Sequence, residues 1–277
     1  LGANMGAVCA TEKKPEQPAG DGAGGGGDEK PRPQVFAIMR NAHEVIRGAL
    51  TECEEALALD DANAISTFRT RWADFVRFQE LHAAMEDGVP NKAKGMFAFL
   101  DENCDSIAKE KGLRDAHERL HGAEAAVVSA LKAKDLAKLR EAFGAFKEQN
   151  EAHLKAEEEV MMPKVAQLTK GGHNMPKALR DNMLPALDSK AKLKHFISFG
   201  AKTLEKHHGG MPRARVWAHA LAAAAGSEAQ WREWRQHIKS AMTSDGFASL
   251  GTQIDLGAWG DSAYPETPPW AKAGEGA

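Results

Sequence analysis

The chain has 277 residues and a net charge of −3, with 36 basic and 39 acidic side chains mixed along its length. No basic stripe stands out, which excludes nucleic acid as a partner class. No apolar run reaches the roughly 18 residues of a membrane span, and no secretory h-region opens the sequence.

Residues 1–34 read as a disordered N-terminal segment. Lys13 to Pro33 is nearly all Gly, Pro, Lys, Glu, Asp and Gln, and it includes the run Gly24 to Gly27. Such a stretch does not offset its own ordering entropy. If Met5 is the true start, Gly6 becomes a candidate for myristoylation and Cys9 for palmitoylation. That would give a lipid-anchored membrane association, although Ala10 stands where the usual pattern has Ser or Thr. Cys9, Cys53 and Cys104 are odd in number and lack metal-type spacing. They suit a reducing, cytoplasmic setting rather than a disulfide framework.

Four long helices follow. Val35, Met39, Ala42, Ile46, Ala49, Cys53 and Leu57 recur at steps of three and four, a helical stripe over about 35–59. His43 lies beside Ala42 on that stripe. Over about 65–87, Ile65, Phe68, Trp72, Phe75 and Gln79 lead along one face to His82 and Glu86, and Gly88 with Pro90 ends the helix. A short amphipathic stretch, Met96 to Leu100, comes next. The third helix covers about 107–133, with the seam Ile107, Arg114, His117, His121, Glu124, Val128 and Leu131. The fourth starts after Asp135, an N-cap residue, and its seam reads Leu136, Leu139, Phe143, Phe146, Asn150, His153, Glu157 and Val160. Pro163 is expected to kink or end it. Short links between long helices predict an all-α fold, with an antiparallel up-down four-helix bundle over 35–170.

Residues 171–256 form a C-terminal helical region, with helices expected at 187–206, 212–225, 228–242 and near Phe247. Gly226 stops one helix and Ser227 caps the next. Trp217, Trp231 and Trp234 form a small core or dock onto the bundle, and the region as a whole is a candidate surface for a protein partner. Residues 257–277 read as an extended tail. His195, His207, His208, His219 and His237 do not assemble into paired ligands and are read as surface or packing residues.

The chemistry lies on the apolar faces. His43, His82, Glu86, His117, His121, His153 and Glu157 all continue buried seams. A hydrophobic core has little reason to take in so many polar groups unless they share a ligand, because each one buried without a partner costs free energy. Residues four apart on a helix stack with about 5–6 Å between Cβ atoms, so His82 with Glu86, His117 with His121 and His153 with Glu157 are preformed ligand pairs. Two six-coordinate metals offer twelve positions. Five imidazoles, two bridging carboxylates and one bridging water oxygen leave a single position open for a small molecule. Imidazole and carboxylate donors in a helical bundle favour iron. Glu124 and Asn150 are read as supports of these ligands, with Arg114 as an alternative ion-pair partner for Glu124.

This pattern, one His on the first helix, H-x3-E on the second, H-x3-H on the third and a His with a nearby carboxylate on the fourth, resembles the hemerythrin-like (HHE cation-binding) domains over about 35–168. The resemblance implies two iron ions, Fe2+ or Fe3+, joined by an oxo or hydroxo bridge. It implies that His117, His121 and His153 hold one ion and His43 with His82 the other, with Glu86 and Glu157 bridging. Many members place the last carboxylate five residues after the His, here Glu158, but the four-residue step keeps Glu157 on the seam. The implied function is reversible dioxygen binding by a carrier or sensor. A di-iron oxidase, peroxidase or nitric-oxide-handling enzyme and a metal-dependent regulatory module are the alternatives.

Overall fold

The computed structural model describes residues 37–59, 61–104, 108, 112–207 and 211–250. The expected N-terminal segment with Gly6 and Cys9, the tail from 257, and His208 lie outside the described residues.

Helices α1 (Ala37–Leu57) and α2 (Asp61–Asp87) are joined by a three-residue link and run antiparallel. Arg71 of α2 donates to the Glu52 carbonyl near the end of α1, while His82 meets His43 near its start. Helix α3 (Met96–Asn103) follows, then α4 (Leu113–Ala133) and α5 (Leu136–Lys170). The Asp135 side chain accepts the Lys138 N–H at 3.0 Å and caps α5, as its sequence position predicts. Pro163 lies inside α5, which continues past it to Lys170. Met161, Val165 and Leu168 are buried on either side, so packing on both flanks outweighs one lost N–H.

Side-chain contacts fix how these rods run. Arg140 of α5 donates to the Leu57 carbonyl at 2.8 Å, and Arg47 of α1 pairs with Glu151 at 2.9 Å, so α1 and α5 are antiparallel. Phe68 meets Phe143 and Phe75 meets Phe146, so α2 and α5 run the same way. Trp72 and Phe146, at 5.0 Å between ring centroids, complete an aromatic layer between α2 and α5.

The remaining elements are α6 (Met175–Ala178), a π turn (Leu179–Met183), a 3-10 turn (Leu184–Ala186), α7 (Lys190–Lys206), α8 (Met211–Ala224), α9 (Glu228–Ala241) and α10 (Ser244–Ser249). Ser227 caps α9 through the Gln230 N–H. This C-terminal region is not a separate body: it shares one apolar core with α1 and α2. Phe78 stacks on Phe196 of α7 at 5.1 Å, and Trp217 of α8 packs on Phe196 at 5.0 Å. Helix α2 thus buries two faces, Phe75 towards α5 and Phe78 towards α7.

The loop between α2 and α3 sets the roof of the interior. Gly88 and Gly95 have φ of +84° and +83°, and a Cβ on Gly95 would lie 2.4 Å from the Gly88 nitrogen. Only glycine fits that backbone crossing. The Gly95 N–H donates to the Asn182 carbonyl at 2.9 Å, tying the loop to the π turn. No helix among the described residues is long and apolar enough to cross a membrane. Replacing Gly95 with Ala is expected to lower stability by about 1–3 kcal/mol, read from urea denaturation, because it combines a left-handed backbone with a steric overlap.

Candidate metal centre

Six polar side chains converge where α1, α2, α4 and α5 meet. His43, His82, Glu86, His117, His153 and Glu157 are each at most 5% exposed. They form two overlapping groups, His43, His82, Glu86 and Glu157 on one side and Glu86, His117, His153 and Glu157 on the other. Within each group the candidate ligand atoms all lie within 4.8 Å of one another. Both carboxylates belong to both groups.

The contacts show the same sharing. Glu86 sits 3.4 Å from His82 Nε2 through one oxygen and 3.4 Å from His117 Nε2 through the other. Glu157 places one oxygen 3.4 Å from His43 Nε2 and the other 3.2 Å from His153 Nε2. All four carboxylate oxygens and all four Nε2 atoms are buried, and none has a hydrogen-bond partner. Eight orphaned donor atoms aimed at one place are what a pair of metal ions would satisfy, and such a donor set fits borderline transition metals.

Outer groups fix the imidazoles. His117 Nδ1 contacts Asp87 at 2.8 Å, and His43 Nδ1 contacts Glu158 at 3.0 Å. A carboxylate on Nδ1 holds the proton there and leaves Nε2 free to ligate. Arg114 lies 3.4 Å from the Asp87 carboxylate, and Arg40 lies 2.9 Å from that of Glu158, with Arg47 at 2.8 Å. Phe97 of α3 stacks on the His117 ring at 5.5 Å.

Electrostatics divides the imidazoles into two kinds. Burial disfavours charge on His43, but the Glu157 and Glu158 carboxylates prevail and raise its pKa to about 9. His117 follows the same logic: burial opposes its charge, yet Asp87 and Glu86 lift it to about 10. Burial dominates at His82 and His153, and neighbouring imidazoles add repulsion; His82 falls well below its ordinary value and His153 to about 4. Burial and then the Glu157 charge raise Glu86 to about 7. Glu158 is held down to about 2, since its bonds to His43 and Arg47 overcome its desolvation.

His121 does not join the cluster. Its side chain is 66% exposed and lies 3.8 Å from Glu124. The buried face of α4 runs through Leu113, His117, Leu120, Val127 and Leu131. His117 is at the edge of that face, and four further residues advance the helix about 40° beyond a full turn, carrying His121 out of it. The spacing puts both histidines on one seam, but the centre of the buried face runs through Leu120. Glu158, held as the substitute for Glu157, instead clamps His43. Arg114 pairs with Asp87 rather than Glu124. Of the C-terminal histidines, His195 lies 3.2 Å from the Asp74 carbonyl and His207 3.0 Å from Glu52, apart from the cluster.

An internal repeat explains the balance of the centre, and it was visible in the sequence. The same interval separates Trp72 from Phe143, Phe75 from Phe146, Gln79 from Asn150, His82 from His153, Glu86 from Glu157 and Asp87 from Glu158. A second constant interval relates Arg40 to Arg114, His43 to His117 and Arg47 to His121. Each half supplies two histidines, one shared glutamate, and an acid directly after it that clamps the other half's histidine. That acid-after-glutamate doublet was the signal for Asp87 and for the clamp role of Glu158.

Two spaces reach the centre. A cavity of about 30 Å³ abuts His82 and Glu86, walled by Ile38, Met39, Met96, Leu179, Met183 and Phe196. The C-terminal region therefore helps enclose the site. A wider cleft of about 530 Å³ between α4 and α5 reaches His153, with Ala116, Arg119, Leu120 and Ala152 along it.

No family model matches the chain, and no curated protein or solved structure matches it. Geometry and donor chemistry carry the metal-site reading.

Metal must displace the protons held by His43 and His117, so affinity is expected to rise with pH until those groups lose their protons, near 9 and 10. Loading at pH 7 should release roughly two to three protons per chain, from His43, His117 and in part Glu86, measured with an indicator dye in weak buffer. Asp87→Asn and Glu158→Gln should each weaken metal binding by roughly 10–100-fold in competition with a chelator. His121→Ala should leave stoichiometry unchanged, whereas His153→Ala should lower it.

Proposed function

We propose that this chain is a non-haem di-iron protein of the hemerythrin-like kind, with α1, α2, α4 and α5 as an up-down four-helix bundle and dioxygen as its small-molecule ligand. The observation that supports it most directly is the pair of four-membered ligand groups sharing Glu86 and Glu157. His43 and His82 would hold one ion, His117 and His153 the other, and the two glutamates would bridge. Two ions at this centre supply the redox chemistry for capturing dioxygen. The chain's own part is to hold the Nε2 atoms ready through Asp87 and Glu158, to lend two compensating negative charges, and to exclude water behind Phe97 and the methionine-lined wall. The cavity beside His82 is large enough for a diatomic molecule.

Beyond the four-residue step from His153 to Glu157, the centre departs from the hemerythrin pattern at His121. Without His121 the two positions have equal donor sets of two imidazoles and two shared carboxylates, so both keep room for a further ligand. That equality, together with the cleft that reaches His153, favours a second reading as a di-iron oxidase or peroxidase.

Aerobically purified protein should carry about two irons per chain and show the absorption of a coupled diferric pair. Elemental analysis finding zinc alone, or less than about one metal per chain, would overturn the di-iron reading. Reversible bleaching and return of colour on cycling dioxygen marks the carrier or sensor; steady-state consumption of peroxide marks the enzyme.

A further inference from the structure

One layer below the ligands, towards the aromatic rings, buried amide atoms lack hydrogen-bond partners. Asn150 is fully buried, and neither its Oδ1 nor its Nδ2 has a hydrogen-bond partner. The side-chain oxygen of Gln79 is buried without a partner, and so is Nε1 of Trp72. Asn150 stands three residues before His153 on α5, and Gln79 three before His82 on α2. Residues three apart share a helix face, so both amides are on the face that carries the ligands.

The repeat makes Gln79 and Asn150 equivalent positions in the two halves. Below them the layer is closed by rings, with Phe75 and Phe146 at 5.7 Å and Trp72 and Phe146 at 5.0 Å. An apolar residue at either position would continue that packing without leaving a polar atom stranded. Keeping a carboxamide in both halves, with these atoms unpaired, implies an occupant that hydrogen-bonds to them. A carboxamide can present either its N–H or its oxygen, so the layer suits an occupant with several acceptor atoms.

We propose that Gln79 and Asn150 form the hydrogen-bonding floor of a second-ligand site, which takes a small anion of two or three atoms spanning both metal positions. This rests on the binuclear reading given above. It adds that the exogenous ligand is held from the aromatic side by the two equivalent amides and not by the metals alone.

The test uses the full chain loaded with iron, metal content measured first, and sodium azide as the probe, followed by its charge-transfer absorption. The variants are Asn150→Leu, Gln79→Leu and Asn150→Ser. Both leucine variants should keep about two metals per chain and lose roughly tenfold or more in azide affinity, by similar factors, as expected for lost hydrogen bonds to an anion. Asn150→Ser should recover part of that loss. The metal-free Asn150→Leu protein should melt at a higher temperature than the original, because an unpaired buried amide is removed. Unchanged azide affinity in fully loaded leucine variants would overturn the proposal and leave the metal centre standing, the amides then being satisfied by water alone. A fall in melting temperature with unchanged azide affinity would overturn it in the same way. Failure of the original protein to retain metal would overturn the centre and this site together.

Discussion

Four imidazoles and two carboxylates lie in a space walled mainly by phenyl rings, methyl groups and thioethers. Burying such groups without compensation carries a large desolvation penalty. In the metal-free protein the penalty is met partly by charge: His43 and His117 hold protons beside Glu157, Glu158, Glu86 and Asp87. The compensation is incomplete, because the eight inward atoms remain without aligned hydrogen bonds. The apolar packing around them therefore has to hold like and unlike charges together until a cation does so better. The edge-to-face rings of α2 and α5 on one side and the shared core with α7 and α8 on the other provide that rigidity.

The repeat gives this arrangement its economy. A helix pair carrying Glu86-Asp87 and another carrying Glu157-Glu158 each bring a shared carboxylate to the common cluster and a clamping carboxylate to the opposite half. Coupling of this kind makes the halves interdependent: disturbing Asp87 misaligns His117 of the other half, while Glu86 serves both. The surroundings are less symmetric than the ligands. Phe97 covers His117, the methionine-lined cavity adjoins His82, and the open cleft reaches His153. The two ligand groups therefore have like side chains but unlike access.

Much of this was legible in the order of residues. Steps of three and four located the helices, Asp135 and Ser227 announced their caps, and the polar interruptions of apolar seams singled out six of the six converging side chains. His121, exposed and outside the cluster, shows where periodicity stops. A seam drawn through polar residues alone tolerates an error of half a face, and His117 lies at its edge. The position of Leu120 settles which side of His117 is interior, and that depends on where α5 presses against α4. Pro163 carried a similar ambiguity: a local signal for a break was overruled by burial on both sides of it.

Spacing along one chain sets the helices, the residue types available for ligation and the twofold repetition of the motif. Tertiary structure decided which donors meet, that Glu158 turns outward to His43 while Glu157 turns inward, and that the C-terminal helices wall the cavity beside His82. Those outcomes depend on the rotation and register of one rod against another, and such angles are set by packing between segments far apart in the chain, which no local pattern encodes.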